Sequence, residues 1–118
     1  RTWKESWGPK MNKIRITPEA SQDLRSIQGY IAEELGNPAA AKRTVKSVLQ
    51  HLRVLERFAN AGFSVAAKTG ADTDLRILVC GSYLAPYRVE GKTVSVARIL
   101  HAKQDYLLVL FGEESKAE

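Results

Sequence analysis

The amino-acid sequence predicts a single α+β domain made of an N-terminal strand, an antiparallel helical hairpin and then a small antiparallel sheet. Apolar residues recur at spacings of three and four between residues 20 and 59, which is the periodicity of helices that bury one face. Three β-type runs follow between residues 75 and 100, separated by two short turns that contain glycine. A chain of 118 residues that is 44% hydrophobic is long enough for one core and too short for two ordinary domains.

The first predicted elements are a short strand and a helix. Residues 13–16, Lys-Ile-Arg-Ile, alternate polar and apolar side chains as a strand does. Thr17, Pro18 and Glu19 then supply an N-cap, a first-turn proline and a first-turn acid, so we expect a helix to begin there. Gly36 ends this helix. Its apolar positions are Ala20, Leu24, Ile27, Ile31 and Leu35.

A second helix is predicted to begin immediately after the first. Asn37 and Pro38 repeat the pattern of an N-cap followed by a first-turn proline, and residues 60–62 end the helix. Because the connection is so short, the two helices should form an antiparallel hairpin. The apolar face of the second helix consists of Ala41, Val45, Val48, Leu52, Leu55 and Ala59.

The second half of the chain predicts three strands. Residues 63–74 lack periodicity and are predicted to be a loop that returns the chain to the sheet. Residues 104–111 fit either a short helix or a strand. The strands are residues 75–80, 83–89 and 93–100, with turns at 81–82 and 90–91.

The turn at Glu90 and Gly91 predicts which side chains share a face of the sheet. A two-residue loop there would place Tyr87 opposite Val94. Pro86 cannot donate a hydrogen bond to a neighbouring strand, so a bulge there would shift the pairing beyond it, and Arg98 would either turn outward or carry its charged head to the rim. The predicted core face carries Tyr83, Ala85, Tyr87, Val94, Val96 and Leu100, with Arg98 as the exception. The predicted open face carries Leu84, Pro86, Arg88, Thr93, Ser95, Ala97, Ile99 and His101.

Charge and composition limit the kinds of function. The net charge of +5 suits an acidic or polyanionic partner. Cys80 lies in an apolar run and is predicted to be a core residue, and no histidine shares a metal-ligand spacing with it or with a carboxylate, so we expect neither a metal nor another cofactor. No apolar run reaches the length of a membrane span and no signal peptide is evident, which predicts a cytoplasmic protein. Residues 1–10 are interpreted as an expression remnant or an upstream extension, 11–113 as the domain and 114–118 as a polar tail.

The order of elements and several local strings resemble the RelE/ParE toxins of bacterial type II toxin-antitoxin systems. ITPEASQDLRSIQGYIAEELGNPAAA is similar to that family's helical hairpin, and LRILVCGSYLAPYRVEGKTVSVARILHAKQDY is similar to its sheet. The resemblance implies a β-α-α-β-β-β fold and a toxin held in check by a cognate antitoxin, as a homodimer or a toxin-antitoxin hetero-oligomer. It also implies one of two targets: RelE-like members cleave mRNA on the ribosome without metal, whereas ParE-like members poison DNA gyrase and are not nucleases. Of these, we expect action on translation by mRNA cleavage, with inhibition of gyrase as the alternative.

Four residues are candidates for metal-free RNA cleavage, and the sequence predicts them near one end of the sheet. Arg88 would stabilise the phosphate, His101 or Lys103 would exchange the proton, and Tyr106 would stack on a base or donate a hydrogen bond. Each also fits a structural role in a strand, a turn or the core. The chain departs from the nuclease pattern at Leu84, where RelE-like enzymes carry an arginine. It departs again in having only Lys103 of the basic cluster after the last strand, which also allows an attenuated toxin that only binds its antitoxin.

A basic stripe on the second helix is the candidate surface for nucleic acid or a partner. Its members, which lie about a third of a turn from the apolar face, are Lys42, Lys46, Arg53 and Arg57. Arg98 is added to this set as a candidate partner contact. The stripe would suit nucleic-acid phosphates or an acidic antitoxin segment, or it is the solvated side of an amphipathic helix.

Overall fold

A computed structural model of the chain describes residues 11–112. The predicted extension at residues 1–10 and the polar tail at 114–118 lie outside the described residues. The helices are α1 (Pro18–Gly29), α2 (Pro38–Leu52), α3 (Val65–Thr69) and α4 (Tyr106–Phe111). The strands are β1 (Lys13–Ile16), β2 (Phe63–Ser64), β3 (Arg76–Cys80), β4 (Tyr83–Glu90), β5 (Thr93–Val96) and β6 (Leu100–His101).

Both helices of the hairpin begin at the predicted caps. The Thr17 hydroxyl accepts a hydrogen bond from the Ala20 amide at 3.2 Å, and the Asn37 side chain accepts one from the Ala40 amide at 3.0 Å. These side chains satisfy amides that the first turn of a helix cannot pair within itself.

The ends of the two helices differ from the prediction. After α1 the chain continues as a π-helical turn, Tyr30–Glu34, a rare conformation that is often found at functional sites. The second helix does not continue to Ala59. It tightens after Leu52 into a 3-10 turn, Arg53–Glu56, which keeps Leu55 fully buried.

The sheet is mixed, with the strand order β1-β5-β4-β3-β2. The strands of the second half pair antiparallel as predicted, whereas β1 lies parallel to β5, with Ile14 beside Val94. The helical hairpin and strands β2, β3 and β4 lie between β1 and β5 in the chain.

The β4–β5 turn lies one residue later than predicted. Gly91 and Lys92 form the two-residue loop, so Tyr87 faces Val96 rather than Val94. Gly91 has a φ of +63°, whereas Lys92 has a negative φ. A positive φ at the first loop residue alone is typical of a type II′ turn, which favours glycine there. Because the shift is two residues along β5, the core face of the hairpin is unchanged.

The pairing shifts by one residue opposite Pro86, the position at which the sequence allowed for a bulge. Pro86 is buried in the central strand, and its carbonyl accepts a hydrogen bond from the Ala97 amide at 2.8 Å. Beyond that point residues 97–99 interrupt the pairing, and β6 resumes with His101 opposite Tyr83. The extra residue reverses the alternation, so Ile99 joins the core and His101 moves to the side of Tyr83, contrary to the predicted faces.

Two apolar clusters lie on opposite faces of the sheet. The larger one joins the helical hairpin to Tyr87, Val94 and Val96. The smaller one contains Ile77 and Leu84, which α3 and α4 cover. This face was predicted to be open and residues 63–74 to be a loop; both predictions are wrong for this half of the sheet, because Val65 and the α4 side chains bury it.

Candidate functional site

The four nuclease-type residues do not meet at one end of the sheet, which corrects the predicted cluster. Arg88 lies toward the β4–β5 turn, and its Nε donates to Asp74 Oδ1 at 2.8 Å. His101 lies opposite Tyr83, at the other end of β4. Tyr83 and Arg88 are five positions apart in the sequence, which is roughly 16 Å in an extended strand.

His101 organises the turn that follows β6. Its Nδ1 accepts a hydrogen bond from the Lys103 amide at 3.1 Å, and its own amide donates to Gln104 Oε1 at 2.8 Å. A backbone amide can only donate, so Nδ1 is the unprotonated ring nitrogen in this geometry. The ring also packs edge-on against Tyr83, with 5.3 Å between the ring centres. His101 and Lys103 are therefore adjacent, but one nitrogen of the imidazole is already in use.

Tyr106 lies at the first position of α4 and packs over the smaller cluster. Its ring meets Phe63 edge-on at 6.3 Å between centres. Burial, and to a smaller extent the charge of Asp105, raises the pKa of Tyr106, which favours the protonated phenol. The position fits a packing residue that holds α4 on the sheet.

Arg98 is engaged within the domain. Its guanidinium donates two hydrogen bonds to the Asp23 carboxylate, at 2.7 and 3.0 Å, and Asp23 also accepts from the Ile99 amide at 2.9 Å. The hydrogen bond with Asp23 raises the pKa of Arg98 above its ordinary value, against a smaller opposing effect of burial. Arg98 therefore points toward α1. Only the exposed third of its side chain is free to contact a partner, as the sequence predicts.

A groove of about 450 Å³ lies between the π turn and β6. We name it the π-turn groove; its lining includes Tyr30, Ile31, Leu35, Tyr83 and His101. Tyr30 and Leu35 are 56% and 60% exposed, so the groove presents two large apolar side chains to solvent side by side. The amides of Ile99 and His101 donate to the side chains of Asp23 and Gln104. These amides are therefore not available to pair with an added strand, and a partner at this edge of the sheet would contact side chains.

The basic stripe lines a second groove, of about 300 Å³, along the exposed side of the helical hairpin. We name it the hairpin groove. Lys42, Lys46 and Arg53 flank Val45 and Leu49 there, and Gln28 contributes from α1. Arg57 does not line this groove, because the chain has left the α-helical path after Leu52.

Sequence reasoning missed part of this arrangement. Tyr30 carried no signal, and Leu35 was assigned to the buried face of the first helix although it is exposed. Asp23 accepts a hydrogen bond from the Ile99 amide, which lies far away in the sequence. Gln104 accepts one from the His101 amide across a turn that the sequence did not predict. Within residues 11–112 no three His, Cys, Asp or Glu side chains are grouped as metal ligands, and no helix there is long and apolar enough to cross a membrane.

The sequence matches one protein family, and the fold is similar to that of solved toxin-antitoxin structures. Residues 14–106 match the family model described as the ParE toxin of the type II toxin-antitoxin system, parDE. A solved chain from the chromosomal ParDE system of P. aeruginosa is 25% identical, with a TM-score of 0.65 over 79% of this chain and 98% of that chain. A chain of the RelBE2 toxin-antitoxin complex of Mycobacterium tuberculosis is 19% identical, with a TM-score of 0.59 over 80% and 95%, a likeness of fold alone. No curated protein sequence gives a significant match.

Proposed function

Because the chain belongs to the ParE toxin family of type II toxin-antitoxin systems, we propose that it stops growth by binding and inhibiting DNA gyrase. In this proposal it cleaves no mRNA, and a cognate antitoxin neutralises it. The family membership supports the choice of target, since the ParE-like members that this sequence resembles act on gyrase.

The observation that carries the proposal is the separation of Arg88 from His101. Metal-free RNA cleavage needs a cation at the phosphate and a proton-transfer group within reach of the same bond. Arg88 is paired with Asp74 at one end of β4, whereas His101 lies opposite the other end. A gap of roughly 16 Å along the strand is far beyond hydrogen-bond reach of a single phosphate.

The surface that best supports target binding is the π-turn groove. Its exposed Tyr30 is of the aromatic type that is enriched in the buried centres of protein interfaces, and Leu35 adds apolar area beside it. Its floor is electrically neutral, because Asp23 and Arg98 compensate each other there. The groove therefore suits an apolar protein segment better than a polyanion.

The test is a supercoiling assay with purified gyrase and relaxed plasmid. We expect the wild-type chain and an Arg88→Ala/Lys103→Ala double variant to inhibit supercoiling equally, since both residues are nuclease-type candidates that do not line the π-turn groove. Tyr30→Ala and Leu35→Ser should weaken inhibition because each removes an apolar side chain from the groove. Both residues are exposed, so their replacement leaves the core intact. Gln22→Ala, an exposed substitution on α1, is the matched control. Supercoiling that is unaffected by excess wild-type protein would refute gyrase as the target.

Ribosome-associated mRNA cleavage is the second candidate, because His101 and Lys103 do lie together beside Tyr83. It predicts cuts in ribosome-bound mRNA that disappear in His101→Ala. Intact transcripts in cells whose growth has stopped would exclude it. An attenuated toxin, in contrast, would bind its antitoxin and leave growth unchanged.

A further inference from the structure

A small polar pocket lies between α2 and the turn that joins β3 to β4. Its volume of about 280 Å³ is just below the usual range of small-molecule sites, which is about 300–1,000 Å³. The pocket therefore suits a small ligand or a single functional group. We name it the turn pocket. It is lined from α2 by Arg43, Thr44 and Ser47, and from the strand end and the turn by Cys80, Gly81 and Ser82.

The hydroxyl groups of the turn pocket have no hydrogen-bond partner within residues 11–112. A serine or threonine inside a helix can donate to the carbonyl four residues earlier. Thr69 does so in α3, where its hydroxyl donates to the Val65 carbonyl at 2.7 Å. Thr44 and Ser47 make no such bond, and the Ser82 hydroxyl also has no partner among the described residues. These three donors are free to bind a ligand.

Arg43 is the only charged residue that lines the turn pocket. It has no hydrogen bond or ion pair among the described residues, whereas Arg76, Arg88 and Arg98 each bind a carbonyl or a carboxylate. No carboxylate lines the pocket either. The pocket thus combines one uncompensated positive charge with several hydroxyl donors.

The walls of the turn pocket are held in place before any ligand binds. Val48 and Cys80, which are 1% and 2% exposed, lie at its base. The Ser82 carbonyl accepts a hydrogen bond from the Ala102 amide at 2.8 Å, which ties the turn to the chain after β6. Because little has to be ordered on binding, this arrangement favours affinity for a ligand that matches the donors.

We propose that the turn pocket binds the phosphate group of a small compound, either free phosphate or a phosphate monoester. The Arg43 guanidinium would pair with phosphate oxygens, for which its planar fork of donors is well suited. The hydroxyls of Thr44 and Ser47 would donate to the remaining oxygens. A hard cation is a poor match, since it takes carboxylate ligands and the lining has none.

The turn pocket adjoins the π-turn groove through one shared residue, Tyr83. Tyr83 is also the only aromatic residue of the pocket, and its ring already packs against His101. Substitutions of Arg43, Thr44 or Ser47 therefore leave the lining of the π-turn groove unchanged. The inference does not depend on gyrase as the target, because phosphate binding is measured on the protein alone.

The experiment is a titration of the isotopically labelled full chain with sodium phosphate, followed by nuclear magnetic resonance at constant ionic strength. We expect saturable shifts of the Gly81 and Ser82 amide signals. Arg43→Gln should raise the Kd by at least roughly tenfold, as the loss of a charge-assisted pair does. Arg57→Gln is the matched control, an exposed arginine outside the pocket, and should change the Kd by about twofold or less. Shifts that do not saturate, or equal effects of the two substitutions, would overturn the inference.

A second variant tests the hydroxyls without changing charge. Thr44→Val/Ser47→Ala should raise the Kd by about fivefold, and its own spectrum shows whether it is folded. Glycerol phosphate and a short duplex DNA are the comparison probes, at about 0.15 M salt. Saturable binding of phosphate or glycerol phosphate supports the inference, and the tighter of the two identifies the source of the phosphate group. An unchanged Kd in the double variant, or Gly81 shifts with DNA alone, would show that the pocket is not a small-phosphate site.

Discussion

Asp23 and Arg98 are joined by two hydrogen bonds, of 2.7 and 3.0 Å, although they lie 75 positions apart in the sequence. A third bond, from the Ile99 amide to Asp23, completes the contact at 2.9 Å. The Thr17 hydroxyl, at the start of the same helix, donates to the Ala97 carbonyl at 3.1 Å. Side chains of α1 thus satisfy the backbone groups that the bulge leaves without a strand partner.

The first prediction concerns this contact. Asp23→Ala removes the acceptor of the Ile99 amide and the counter-charge of a half-buried arginine. We expect the free energy of unfolding to fall by about 1–3 kcal/mol, measured by urea denaturation at neutral pH. Asp23→Asn keeps one acceptor for the Ile99 amide and should lose less. Equal stability of Asp23→Ala and the wild type would contradict the role assigned to the contact.

The second prediction concerns the hydroxyl of Tyr87, which is fully buried. It donates to the Ala59 carbonyl at 2.7 Å and accepts from the Gly62 amide at 2.9 Å, so it holds the segment that follows the 3-10 turn. Tyr87→Phe leaves both backbone groups without this partner and should destabilise by about 1–3 kcal/mol. Tyr106→Phe, at a partly exposed ring, is the control and should cost much less. A similar loss in the two variants would show that the bridge is unimportant.

The third prediction compares two glycines. A Cβ at Gly62 would lie 2.5 Å from the Ile77 carbonyl oxygen and 2.8 Å from the Tyr87 ring, so Gly62→Ala must displace backbone. Gly29 ends α1 and has nothing within 4 Å of such a Cβ. Gly29→Ala should stabilise by up to about 1 kcal/mol through helix propensity, whereas Gly62→Ala should destabilise by roughly 2 kcal/mol or more. Thermal unfolding of both variants decides, and a stable Gly62→Ala protein would count against the observed packing.

The fourth prediction concerns pH. Burial raises the pKa of the Cys80 thiol to about 11 from an ordinary value of 9.0. Between pH 9 and pH 11 the thiol is therefore protonated in the folded state and ionised in the unfolded state. Its contribution to the free energy of unfolding, on the order of 2 kcal/mol, is present below pH 9 and lost as the pH rises toward 11. Cys80→Ala should show a shallower decline in the free energy of unfolding between pH 8 and pH 10.5. Parallel curves for the two proteins would exclude this contribution.

The local elements could be read from the sequence because neighbouring residues decide them. Thr17 with Pro18, and Asn37 with Pro38, satisfy the first turn of a helix wherever that helix later packs. Pro86 predicts an interruption of the ladder because it has no amide hydrogen. The apolar periodicities also identified the core face of the β4–β5 hairpin as far as Val96, since a shift of two residues in register leaves alternation intact.

Tertiary structure alone decided the features that join distant parts of the chain. The parallel pairing of β1 with β5, the covering of Leu84 by α4 and the contact of Arg98 with Asp23 each depend on segments that sequence spacing does not bring together. The candidate site was affected most. The bulge moved His101 to the side of Tyr83, and the length of β4 separated it from Arg88. Sequence supplied the residue types and the family, and the packing of the sheet determined which of those residues can act together, because proximity across strands is set by register.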